Sequence, residues 1–282
     1  TVLHCAASSG NSESLKTVLL LYPESERLPA VRMPNKFGQT ALHLSRGLKC
    51  FKAILSLYPE VERLHAARMQ DQFGGTALHY ATISKDIDCI KTILSLYPES
   101  EHLHAVSVKD MHEKTVLHCA AQSGHHESIQ LILSLYPETE RLRAVNETCY
   151  SGTALHFAAR SGKFESIETI LALYPEAERL QALTMTTHYG ETVLNFVAHS
   201  NQVECIKAVL SLFPESERLH ALNHHNKEDI SPLDLMNEET RNAIMEWLSK
   251  PESSGKKRSR DGAMRTDFGQ PETKVVRLGC SC

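Results

Sequence analysis

The string Thr-x-Leu-His returns through this chain at nearly fixed intervals, and no other feature constrains the fold as strongly. It stands at Thr1–His4, Thr40–His43, Thr76–His79, Thr115–His118 and Thr153–His156. It decays to Thr192-Val-Leu-Asn195 and then to Ser231-Pro-Leu-Asp234. Successive starts lie 39, 36, 39, 38, 39 and 39 residues apart. A second string keeps step with it: Tyr22-Pro-Glu24, Tyr58-Pro-Glu60, Tyr97-Pro-Glu99, Tyr136-Pro-Glu138, Tyr174-Pro-Glu176 and Phe213-Pro-Glu215. Two strings in register mean six units and a degenerate seventh, stacked so that each buries its apolar side against its neighbours. The units run 1–39, 40–75, 76–114, 115–152, 153–191 and 192–230, followed by a capping half-unit at 231–249 and a tail at 250–282.

The fourth unit shows what each one encodes. Thr115 to Ser123 reads as a short helix with small residues, Ala120 and Ala121, where another helix must come close. Gly124 suits the left-handed residue that ends it. From His125 to Tyr136, Ile129, Ile132 and Leu133 recur at helical spacing. Pro137 has no amide hydrogen and stops that helix, yet suits the first turn of another. Glu138 and Glu140 then fall where a helix N-terminus favours negative charge. Leu142, Ala144 and Val145 give this third, short segment an apolar side, and a polar loop from Asn146 to Gly152 leads to the next Thr. Composition agrees: only 6% of residues are aromatic, which suits many small leucine-rich interfaces better than one large core.

Thr-x-Leu-His-x-Ala-Ala followed by Gly and a leucine-rich second helix resembles the ankyrin repeat, over most of residues 1–248. The resemblance implies an all-α solenoid that binds proteins. Two departures shape the expectation. The units exceed the usual length of roughly 33 residues by the Tyr-Pro-Glu-x-Glu-Arg-Leu segment, which predicts an extra short helix per repeat and little or no strand. The second unit is short near Ser45–Lys49, which predicts a distorted first helix or turn. Long-unit arrays of this kind are similar to effectors that intracellular bacteria deliver into host cells. At the far end, Thr240–Leu248 predicts a capping helix with Ala243, Ile244, Trp247 and Leu248 inward. Thr1 opens directly on a repeat, so its apolar edge is expected to continue into residues before it.

Candidate chemistry reduces mostly to structure. His4, His43, His79, His118 and His156 stand a repeat apart, too far to share a metal whose bonds are about 2 Å; the resemblance implies bonds to backbone and Thr hydroxyls of neighbouring units. Cys5 and Cys119 share one unit position, and Cys50, Cys89 and Cys205 share another, which predicts packing. None of the eight cysteines forms a CxxC pair, and reduced thiols in a cytosol-like compartment are expected. Arg27, Arg63, Arg141, Arg179 and Arg218 are expected to pair with the Pro-Glu-x-Glu acids. The tyrosines of the second string are expected to be core or half-core. No phosphate loop, HExxH, GxSxG or kinase-like set is present, so no catalytic residue, metal or other cofactor is assigned, and the chain is read as a non-enzyme.

The candidate surface is elsewhere. Three places before the repeat Thr stand Phe37, Phe73, His112, Tyr150 and Tyr189, with Glu228 before Ser231. In the ankyrin family this is a projecting loop tip, and aromatics there suit a contact stripe; packing against the next loop is the alternative. Ser8, Ile83, Gln122, Arg160 and His199, late in each first helix, are expected to line the adjoining concave face. Phe37, Phe73, His112, Tyr150, Tyr189, Arg160 and His199 together are the partner-binding candidates.

The tail carries eight Lys and Arg against four acids, +4 on a chain of −4, which leaves the repeats at −8. An acidic array makes nucleic acid a poor ligand. The tail reads as disordered. Lys256–Arg260 offers a basic run for nuclear import or anionic lipid, and the terminal Gly279-Cys280-Ser281-Cys282 looks like the lipidated ends of Rab-type GTPases, making Cys280 and Cys282 lipidation candidates. Three functions stay open at this stage: a monomeric cytoplasmic scaffold for a protein partner, an adaptor tethered to a membrane through the tail, and the substrate-choosing part of an enzyme whose catalytic domain precedes Thr1.

Overall fold

The computed structural model describes residues 1–250. The tail readings, the basic run at Lys256–Arg260 and the lipidation candidates Cys280 and Cys282 lie outside the described residues. Six units each give two antiparallel-type helices and a third short one, and no strand is present among the described residues. The first helices are Val2–Ser8, Ala41–Leu44, Ala77–Ile83, Val116–Ser123, Ala154–Arg160 and Val193–Ser200, with Pro232–Leu235 in the half-unit. The second helices are Ser12–Leu20, Leu48–Leu55, Ile87–Leu94, His126–Ser134, Phe164–Leu171 and Val203–Leu210, with Glu238–Ser249 closing the array. The third are Glu24–Arg32, Glu60–Arg68, Glu138–Asn146, Glu176–Thr184 and Glu215–Leu222; in the third unit a 3-10 turn at Glu99–Glu101 leads into His102–Ser107.

Each first helix packs on the first helix of the next unit, and the third helices of the first five units pack on the first helix that follows them. The positions that meet are the small and branched ones read from the sequence: Ala120, Ala121, Ile129, Ile132 and Leu133 are fully buried, as are Ala158, Ala159, Ile167 and Ile170 in the next unit. Gly124 ends its helix at φ +68°, the left-handed conformation that lacks a steric penalty only for glycine. A Cβ there would also lie 2.7 Å from the Cβ of Ser161 in the following unit. Gly124→Ala should therefore lower stability by about 1–3 kcal/mol, read as a drop in the thermal midpoint of the helical circular dichroism signal.

The repeated histidine closes its own unit. In the fourth unit the backbone N–H of Thr115 donates to His118 Nδ1 at 3.2 Å, with the Thr115 hydroxyl 2.9 Å from the same nitrogen. Nδ1 must then be the acceptor, so the proton sits on Nε2, which donates to the carbonyl of Glu147, just past the third helix, at 3.0 Å. His43 reaches Met69 and His156 reaches Met185 in the same way. These bonds stay within the unit, where neighbouring units were expected. Asn195 and Asp234 keep the bond to the repeat Thr or Ser amide; the second bond is missing in the sixth unit, where Asn195 Nδ2 is buried with no partner, and in the third, where His79 Nε2 is too.

Two other expectations are modified. The arginines of the third helices reach carbonyls of the preceding helix, a set of partners beyond the Pro-Glu acids expected for them. Arg27 Nε donates to Leu19 and Tyr22, Arg141 to Leu133 and Tyr136, Arg218 to Leu210 and Phe213, while Arg63 and Arg179 bond Tyr58 and Tyr174. Each thus satisfies the free carbonyls at the end of the preceding helix, where a cation is also favoured by the helix dipole. His102 does the same in the third unit, through Leu94 and Tyr97. Cys5 is exposed, unlike Cys119 at the same unit position; Cys50, Cys89 and Cys205 are buried.

Tyr58, Tyr97, Tyr136 and Tyr174 are core and Tyr22 is half-buried, and some of them also link units. Tyr58 donates to the Val31 carbonyl and Tyr174 to Asn146 Oδ1 at 2.6 Å, each reaching the third helix of the preceding unit. Arg32 pairs with Glu62 and Arg68 with Glu101 between the same helices. In the closing helix Ile244 is buried, and Ala243, Trp247 and Leu248 are half-buried.

Burial pushes His118 and His156 down to about 4. The unfolded chain titrates them near 6.5. Between those values the unfolded state holds more protons, so their stabilisation is complete above about pH 6.5 and is lost as pH falls toward 4. The loss should be on the order of 2–3 kcal/mol for each histidine. The double variant His118→Asn, His156→Asn should be less stable at pH 7 and show a flatter acid limb in thermal melts across that window.

Candidate protein-binding surface

The loop tips are built by one residue that the sequence reading passed over, five places before each repeat Thr. Asn35 Oδ1 accepts from the amides of Phe37 and Gln39 at 2.8 and 3.0 Å. Asp110 Oδ1 does so for His112 and Lys114, and Asn226 Oδ1 for Glu228 and Ile230. Thr187 Oγ1 serves Tyr189 and Glu191. A short polar side chain here bends its own backbone into a turn, and the turn holds the tip residue outward. Adjacent tips are also tied by backbone bonds: Gln72 N–H donates to Phe37, Met111 to Phe73 and Lys227 to Tyr189. The fourth unit departs, using a Cys149–Gly152 backbone pair to raise Tyr150.

Tyr150 is 64% exposed, Tyr189 50% and Phe37 38%. His112 is exposed as well. Phe73 is half-buried and leans on Phe37, with ring centroids 5.8 Å apart, so at this one pair the packing alternative holds in part. The Lys36 ammonium lies 4.8 Å from the Phe37 ring centroid. Among the first-helix ends, Ile83, Gln122, Arg160 and His199 are exposed and Ser8 is half-buried. The framework repeats and is buried, whereas these positions differ from unit to unit and face solvent.

Asp71 anchors the second tip most firmly. It is buried, and its Oδ1 accepts from Phe73 and Gly75 amides at 2.9 Å each. Its Oδ2 accepts from the Tyr80 hydroxyl at 2.5 Å and from Gln39 Nε2 at 3.2 Å. Burial and this carboxylate push the Tyr80 phenol up, so it stays a donor at any working pH. Three neighbouring segments meet on one charge, and removing it would strand the Phe73 and Gly75 amides and the Tyr80 hydroxyl, while Gln39 Nε2 keeps its 2.7 Å bond to Tyr80. Asp71→Ala should cost about 2–4 kcal/mol and increase amide exchange at Phe73 and Gly75, measured by hydrogen exchange; Asp71→Asn should recover part of the loss.

No group of three His, Cys, Asp or Glu able to hold a metal occurs among the described residues. Desolvation pushes Cys89 and Cys119 up to about 12 and Cys205 up to about 11, so these thiols are protonated and inert near neutral pH. No helix among the described residues is long and apolar enough to cross a membrane.

A family model described as "Ankyrin repeats (3 copies)" matches residues 3–102, 49–141 and 101–179. Together these matches span more than half of the chain, which therefore belongs to the ankyrin-repeat family. Members of this family generally mediate protein–protein interaction, and the fold is typically a non-catalytic binding domain. Among solved structures, the human ASB11 ankyrin repeat domain is similar at 19% identity, with a TM-score of 0.54, covering 88% of this chain and 98% of that one. The ankyrin repeat domain of Bcl-3, of the IkappaB protein family, aligns at 15% identity with a TM-score of 0.47 over 87% of this chain and 98% of that one. No curated protein sequence matches this chain.

Proposed function

We propose that this chain is a scaffold that captures a protein partner along the loop tips and the exposed ends of the first helices. One observation carries the reading: a fixed, buried framework holds out a row of unit-specific side chains, with Tyr150, Tyr189 and Phe37 among the most exposed large rings. Exposed aromatics on a preordered backbone gain contact area at little entropic cost, which is why such residues dominate interface energetics. The turn-forming residues Asn35, Asp110 and Thr187 supply that order before any partner arrives. Arg160 and His199, on the same side of their helices as Ile83, would extend the contact beyond the tips.

The combined variant Phe37→Ala, Tyr150→Ala, Tyr189→Ala should lose the proteins retained by immobilised wild-type chain while keeping its circular dichroism spectrum and thermal midpoint. Retention of the same proteins by a natively folded variant would remove the tips from the contact surface.

A further inference from the structure

The three-residue shortfall in the second unit leaves a notch in the row of first helices. Ala41–Leu44 is only four residues long, against seven for Ala77–Ile83 on one side and seven for Val2–Ser8 on the other. The chain leaves this helix at Ser45 in extended conformation, and the Arg46 N–H bonds back to the Ala7 carbonyl at 3.1 Å. Gly47 then heads the next helix with no side chain to cap it. Asp86 of the third unit fills that role: its Oδ2 accepts from Leu48 N–H at 2.7 Å while its Oδ1 accepts from Cys89 at the start of its own helix. One carboxylate thus caps two helices and is fully occupied by them.

The resulting cavity measures ≈ 520 Å³. Its apolar lining comes from Leu44, Tyr80 and the exposed Ile83, and its charge from Arg46 and Lys85. Neither cation has an acidic partner among the described residues. With Asp86 committed to two amides, the lining carries a net positive charge on an array that totals −8. The carbonyl ends of the two flanking helices work the other way, each equivalent to roughly half a charge at most. Ser45 and Ser84 hydroxyls already take the Leu42 and Ala81 carbonyls there. Asp86 lies at the N-termini of the two helices it caps, whose dipoles offset much of its charge, so Arg46 and Lys85 still outweigh the carbonyl ends. Lys85 is also held in place by an unusual backbone, φ +62°, the position glycine occupies after the fourth unit's first helix.

Resting on the protein-binding reading, we infer that this notch seats one apolar side chain of an acidic peptide segment, whose carboxylates meet Arg46 and Lys85. The apolar floor supplies the anchor and the cations supply orientation and choice of partner.

The test is selection of peptides from a displayed random library on the full chain, with affinities of the enriched peptides then measured by fluorescence anisotropy. Enriched peptides should pair an aliphatic or aromatic residue with nearby Asp or Glu. They should bind about tenfold or more weakly to Arg46→Glu, Lys85→Glu and to Ile83→Asp, with both variants natively folded by circular dichroism. Removing the anchor residue from the peptide should weaken binding equally. Peptides without acids, peptides indifferent to these variants, or no enrichment at all would overturn the notch. Peptides that instead lose binding only to the triple tip variant would overturn the notch while leaving the array a protein-binding scaffold.

Discussion

In the second, fourth and fifth units a single imidazole ties the first helix to the end of the third. A helix pair of this size cannot bury its own face, and stacking alone would leave the third helix free to drift. The His Nε2 bond to the carbonyl beyond the third helix fixes that helix against the first, and the Nδ1 bond fixes the first turn. With the unit closed, its two apolar sides become flat, repeatable surfaces, and the stack follows. The arginine or histidine that takes the carbonyls of the second helix completes the closure from the other end. Where all three polar ties are present, they turn a greasy segment into a rigid tile.

The tips depend on the same rigidity. A loop between tied helices is short of freedom already, and one Asn, Asp or Thr is enough to set its turn. Asp71 goes further, drawing Gln39 of the preceding unit and Tyr80 of the following one into a shared network. Rings such as Tyr150 and Tyr189 therefore stand out because the backbone beneath them is settled elsewhere.

The array was legible because its period is visible: Thr-x-Leu-His and Tyr-Pro-Glu mark the helix starts, Gly124 and Pro137 mark stops, and Ile129, Ile132 and Leu133 mark the buried face. The shortage in the second unit was legible in position but not in consequence, since a notch exists only between three units. What sequence reasoning missed are bonds across sequence distance. The carbonyl that His118 reaches lies well downstream, and nothing in its type announces it. The arginines sit beside acids in sequence, so ion pairing was the natural reading, and the helix end they also cap lies behind them in the fold. The turn residues could have been found: Asn35, Asp71, Asp110, Thr187 and Asn226 keep a constant offset from the repeat Thr, a signal as regular as the histidines.

The ties are not equally complete along the chain. In the sixth unit Asn195 stands for histidine and leaves its amide nitrogen stranded, and Phe213 stands for tyrosine and has no hydroxyl to reach back to the preceding unit. Since each tile answers only to its neighbours, a chain pulled or heated does not come apart everywhere at once. It opens first where ties are missing: in the sixth unit, and in the third, whose His79 Nε2 is also buried without a partner.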